Sequence, residues 1–217
     1  MPILEIINSP IIFIAAIIGF LLAITINKWS QGKFAIGQND STSKLAGRYS
    51  LNPFKHLDIW GTIYFLISGV GWGKPVPINP FNLKNPQVTP IKIIFVGFLS
   101  NIILALLISI PIRFFNFNIL IPHTFVTEQI ISFLQVIIEV NLLFIVFNLI
   151  PIPPLDGSKI LFAFISQESQ VTLEKIGPFI LFALLIAAFF TKFNIFSLAI
   201  FPIIQYLNYL ITAFPFS

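Results

Sequence analysis

The chain has 217 residues, of which 57% are hydrophobic and only 9% charged, and its formal net charge is +4. Soluble domains usually carry about 25% charged residues, and an apolar load this large cannot be hidden inside one soluble core of this size. A soluble globular protein is therefore excluded, and the lack of cysteine excludes a disulfide framework, a Cys-based zinc site and a thiol nucleophile.

The length allows one domain, residues 1–217. The first apolar run, Ile3 to Ile26, has no basic leader and no small-residue cleavage site, and its only early charge is Glu5. It approaches the roughly 20 residues a spanning helix needs and predicts a retained transmembrane helix rather than a signal peptide. A polar stretch follows, Lys28 to Asp58. Residues Ile59 to Gly71 are apolar but too short to cross. The next segment, Gly71 to Pro90, carries Pro75, Pro77, Pro80 and Pro86 and cannot be regular helix. Spanning helices are expected over 91–112 and 129–150, joined by a short loop, Phe114 to Thr127. Ser158 to Gly177 is a mixed connector, and residues 178–212 are expected to form a helical hairpin.

Charge gives an orientation. Residues 28–92 hold eight Lys/Arg, whereas the loop after residue 113 holds none. The positive-inside rule places 28–92 in the cytoplasm, provided that Ile59–Gly71 dips into the membrane and returns. The end of the first helix and the segment around Asp156 then lie on the same side. Orientation and anionic lipid contact account for the basic residues, so no nucleic-acid partner is expected. Trp29, Trp60 and Trp72 all fall near expected interfaces, as an aromatic belt would.

Asp156 lies just past a mostly apolar helix, in NLIPIPPLDG. One reading is helix punctuation, with Pro151, Pro153 and Pro154 breaking one helix and Asp156-Gly157-Ser158 starting the next. The other is function, since an ionisable group at membrane depth is costly. The pattern Asn148-x-x-Pro151-x-x-Pro154-x-Asp156-Gly157 resembles the Asn/Pro/Asp-Gly motif of site-2-protease-like membrane metallopeptidases. SKLAGRYSLNPFKHLDIWGT (43–62), GWGKPVPINP (71–80) and GFLSN (97–101) resemble further segments of that family in order and spacing. Together they cover roughly residues 20 to 160. The resemblance implies an all-α polytopic membrane protein: a site-2-protease-like helical bundle with a re-entrant or extended segment, within residues 32–90, on the cytoplasmic side.

The resemblance also implies a zinc site, formed by H-E-x-x-H near the cytoplasmic end of a spanning helix and by the Asp of the Asp-Gly motif. Ligands four residues apart share one helix face, and the intervening Glu acts as general base. Counting back from Gly47 without gaps, the motif falls on Asn27-Lys28-Trp29-Ser30-Gln31, at the end of helix 1–31. Asn27 and Gln31 offer only neutral amide oxygens, poor zinc partners. Lys28, in the place of the general base, is a cation that repels a metal and cannot accept a proton. Of the family's ligand positions Asn27, Gln31 and Asp156, only Asp156 keeps a ligand. The two histidines, His56 and His123, do not stand at ligand positions, and Gly97-Phe98 departs from the family's Gly-Pro. No catalytic residue, metal ligand set or cofactor is expected to be intact.

Lys28 and Asp156 sum to zero charge, so an ion pair is expected to replace the metal, against the alternative that Lys28 reaches for the interface. The Pro-rich segment either presents a backbone edge to a partner strand or is a rigid surface loop. Three functions are consistent with these features. The first is a catalytically inactive homologue that still binds a transmembrane peptide or membrane-protein client. The second is an active intramembrane zinc protease with an altered site. The third is a structural, lipid-contacting protein.

Overall fold

The computed structural model describes residues 9–117, 124–190 and 200–212. Eight α-helices lie in these residues: α1 Pro10–Gly37, α2 Thr42–Leu45, α3 Ile59–Ser68, α4 Thr89–Phe117, α5 Phe125–Asn148, α6 Gly157–Phe162, α7 Gln167–Phe190 and α8 Phe201–Thr212. Two 3-10 turns, Pro53–Lys55 and Pro80–Asn82, interrupt the loops. Among the described residues there is no strand, only an isolated antiparallel bridge between Leu57 and Gly73. The all-helical class expected from the sequence is what is found.

Four helices are long and apolar enough to cross a membrane: α1, α4, α5 and α7. Helix α1 starts at Pro10, whose missing N–H falls where no partner is needed. It continues past residue 31 to Gly37 and ends where Asn39 takes a left-handed φ of 74°. At 1.5 Å per residue its 28 residues span about 42 Å, more than the roughly 30 Å of a hydrocarbon core. Its polar last third therefore needs no water-filled bilayer. Helix α5 opens with a capping box, in which Thr124 and Thr127 satisfy each other's backbone N–H groups. Helices α1, α4 and α5 pack on one another, and α8 rests on α4 and α5.

Several boundaries differ from expectation. Helix α4 begins at Thr89 and runs through Pro111 to Phe117, and α5 begins at Phe125 and stops at Asn148. Both ends of the expected loop, 114–117 and 125–127, are therefore helical, and residues 118–123 lie outside the described residues. The connector 158–177 is mostly helix, since α7 starts at Gln167 and carries Pro178 in its interior. Residues 167–175 contain good helix formers, and a proline forfeits one backbone bond without preventing the helix from passing through it. The turn of the expected C-terminal hairpin falls on 191–199, outside the described residues.

The segment 57–73 leaves the loop level and comes back to it. Helix α3 has ten residues, about 15 Å, half a bilayer. Asp58 caps its start by accepting from Gly61 N at 2.9 Å, and Gly69 at φ 80° ends it. The chain then returns to its starting level, where Lys74 N donates to His56 O at 2.8 Å beside the Leu57–Gly73 bridge. Entry and exit are stapled together, so the chain doubles back here, which is the shape that the expected dip requires. Trp72, expected at an interface, is instead buried at the base of this excursion against Tyr64. Trp60 is exposed, and Trp29 stacks on Tyr49 with Lys33 above its ring.

Candidate functional site

The polar end of α1 puts Asn27 and Gln31 one turn apart, with Lys28 beside them. All three side chains are buried. Asp156 reaches the same place from the loop that follows α5. After α5 the Pro-rich loop doubles back so tightly that a Cβ on Gly157 would lie 2.2 Å from Leu149 O. Only glycine permits that return, and it carries Asp156 into the interior. Asp156 occupies the residue before α6 but makes no capping bond, so helix punctuation does not describe its side chain.

The carboxylate instead faces α1. Lys28 Nζ lies 2.5 Å from Asp156 Oδ2, and Gln31 Nε2 donates to the same oxygen at 2.8 Å. Gln31 Nε2 also donates to Asn27 Oδ1 at 2.9 Å, which locks the two amides on one helix face. Lys159, one turn after Asp156, places its ammonium 3.7 Å from Oδ1. Burial pushes the Asp156 carboxyl up, but Lys28, Lys159 and the hydrogen bonds more than reverse that and hold it at about 2. It is therefore ionised at neutral pH.

Helix α4 closes the site from above. A Cβ on Gly97 would lie 2.7 Å from Gln31 Nε2 and 2.9 Å from Asn27 Nδ2, so glycine is what lets the helices meet there. One turn on, Ser30 and Ser100 hydroxyls sit 2.9 Å apart. Asn148 does not enter the cluster. It donates to Gly71 O at 3.0 Å and Phe144 O at 2.9 Å, bracing the segment after α3 against α5. Pro151 is exposed and Pro154 half-buried in the loop that leads to Asp156.

His56 is buried, with Nε2 2.7 Å from Ser50 O. Its burial and the nearby Arg48, Lys28 and Lys55 hold its pKa below the ordinary value, so it is neutral with Nε2 protonated. It braces a loop. His123 lies outside the described residues. Among the described residues no group of three or more His, Cys, Asp and Glu side chains comes together. Lys159 and Gly97 are the site residues that sequence reasoning did not assign. The i,i+3 spacing of Asp156 and Lys159 was the available signal for the first.

Four potential spans around a buried polar cluster, where α1 meets an Asp-Gly loop, define a multi-pass membrane protein. The model of peptidase family M50 matches residues 8–188. The protein named "Putative zinc metalloprotease YwhC" from Bacillus subtilis (strain 168) is 34% identical over 153 residues, 67% of this chain. The match covers 66% of that relative, so the chain spans just under two thirds of its length. No solved structure matches. The chain belongs to peptidase family M50, the site-2 protease family.

Proposed function

We propose that this chain is a catalytically inactive member of the family, in which Lys28 and Asp156 replace the metal as the tie between α1 and the Asp-Gly loop. The observation that carries this is the buried 2.5 Å contact between Lys28 Nζ and Asp156 Oδ2. Zinc, named for the relative, does not suit the residues present. Its carboxylate oxygen is engaged by an ammonium and an amide, Asn27 Oδ1 is engaged by Gln31, and the free oxygen of Gln31 is a neutral amide. Zinc sites are built from thiolates, imidazoles and carboxylates, and a lysine cation at the centre repels a metal ion. Lys28 is likewise unsuited to act as general base.

The retained parts are those that hold a membrane segment rather than those that cut it. The stapled helix α3, the non-helical segment from Val70 to Asn79 and the open apolar flank of α4 support this reading. In this reading the protein binds a transmembrane segment of a client and sequesters it. The Lys-rich side, with residues 28–92 and Asp156, faces the cytoplasm by the positive-inside rule.

Two measurements test the proposal. Elemental analysis of the purified protein is expected to give zinc far below one per chain, and stoichiometric zinc removable by a chelator would overturn inactivity. A single-span peptide with a photo-crosslinker at its midpoint, reconstituted in the same vesicles, is expected to label residues around α3 and the 70–79 segment. Labelling no greater than that of an unrelated multi-span protein would overturn client binding.

A further inference from the structure

The loops on the Lys-rich side contain the same short device twice. Asn52-Pro53-Phe54 and Asn79-Pro80-Phe81 each form a 3-10 turn with the asparagine as its cap. In each, the asparagine Oδ1 accepts from the phenylalanine backbone N–H, at 3.0 Å and 3.1 Å. Proline fixes the first residue of the turn and needs no donor partner. The chain is thereby forced to turn its phenylalanine outward: Phe54 is 75% exposed and Phe81 95% exposed. Leu45, at the end of α2, is 87% exposed.

These rings are not on loose tails. Asp40, at the end of α1, accepts from Asn79 N at 2.8 Å and from Asn82 Nδ2 at 3.1 Å, which fixes the second turn to a spanning helix. The first turn is fixed through His56, whose carbonyl accepts from Lys74 N at 2.8 Å. Arg48 adds a bond to Lys74 O at 3.2 Å. Water around two rigidly presented phenyl rings is a standing cost, and a fold that spends hydrogen bonds on presenting them needs something to cover them.

Charge identifies what covers them. Lys44, Lys55, Lys74 and Lys84 are all exposed around these turns. Residues 38–92 contain two acids, Asp40 and Asp58. Asp40 is fully buried in hydrogen bonds and Asp58 caps α3. The surface of segment 38–92 is therefore cationic and aromatic, and its one carboxylate that is not fully buried, Asp58, is spent on the cap of α3. A cationic surface studded with aromatic rings, next to the ends of spanning helices, matches an anionic bilayer interface.

We propose that the Lys-rich face docks on the anionic surface of the membrane the helices cross, with Phe54 and Phe81 seated in its interfacial layer. The docking holds the mouth of the re-entrant segment at the headgroup level. It does not depend on whether the buried site is active or inactive.

The absence of cysteine allows a direct test by site-directed spin labelling of the full chain. Single variants Phe54→Cys and Phe81→Cys are labelled with a nitroxide and reconstituted in vesicles of phosphatidylcholine with or without phosphatidylglycerol. Ser169→Cys, on an exposed turn of α7, serves as the comparison site. In vesicles containing phosphatidylglycerol, collision with oxygen is expected to exceed collision with a water-soluble nickel chelate several-fold more at 54 and 81 than at 169. Adding Lys55→Gln and Lys84→Gln is expected to shift both labels toward water. Labels as water-exposed as that at 169 would overturn the proposal and leave a soluble protein partner as the cover. The same depth with and without phosphatidylglycerol, unmoved by the lysine changes, would overturn the electrostatic assignment.

Discussion

Removing Lys28 tests the centre of the molecule. Lys28→Met preserves most of the apolar stem and deletes the charge. Asp156 then keeps the Gln31 amide at 2.8 Å and the Lys159 ammonium at 3.7 Å. Breaking a buried pair commonly costs about 3–5 kcal/mol, because the surviving charge is stranded. Asp156 keeps partial company, so Lys28→Met falls at the lower end, about 3 kcal/mol. Asp156→Leu strands the lysine, whose hydrogen bond goes to Asp156, and falls at the upper end, about 5 kcal/mol. The double variant Lys28→Met/Asp156→Leu leaves no stranded charge and is expected within about 1 kcal/mol of the parent. Thermal unfolding in detergent, followed by light scattering, is the assay; about 3 kcal/mol corresponds to roughly 6–12 °C for a chain of this size. A double variant less stable than both single variants would refute the reasoning, since the two charges would then not be coupled.

Three further outcomes follow from the same geometry. Asp156 is held at about 2 in the folded state, below the unfolded carboxylate value of about 4. Its contribution is therefore fully present above about pH 4 and is lost as pH falls toward 2; in Lys28→Met, where less opposes burial, acid unfolding monitored by tryptophan fluorescence begins at higher pH. Gly97→Ala forces Gln31 off Asp156 and is expected to cost about 1–3 kcal/mol, whereas Ala at the exposed Gly47 side of the loop is not the relevant comparison because φ is positive there; Leu99→Ala on the lipid-facing side is, and unchanged stability of Gly97→Ala would refute close packing of α4. Asp40 accepts hydrogen bonds from Thr42, Asn79 and Asn82, which hold its carboxyl below the ordinary value despite burial. Asp40→Ala is expected to cost about 2–3 kcal/mol and to speed hydrogen exchange at residues 79–83, measured by mass spectrometry.

Much of the architecture is legible in the sequence because bilayer spans are long and apolar. The runs behind α1, α4 and α5 need only hydropathy to be found. Their ends do not follow from hydropathy: the Thr124 capping box starts α5, and α1 ends where Asn39 turns left-handed. Helix α7 was harder still: its first two turns are polar, and Pro178 suggests a start where there is none. The return of α3 depends on a backbone bond between His56 and Lys74, which no side-chain pattern encodes. At the site, charge and motif register select Lys28 and Asp156 as the residues to watch. Lys159 adds a second cation, so the charge balance drawn from two residues alone is incomplete. The burial of Trp72 was illegible because aromatic residues near a membrane surface serve either belt or core.

The tie between α1 and the Asp-Gly loop belongs wholly to the chain. A fold closed by a bound ion gains stability in proportion to the logarithm of that ion's free concentration. Here the two partners are joined by the polypeptide between Lys28 and Asp156, so their encounter is intramolecular. Under the proposed replacement of the metal by the ion pair, closure of the bundle is uncoupled from metal supply, and thermal stability is expected to be the same under zinc starvation as under abundance.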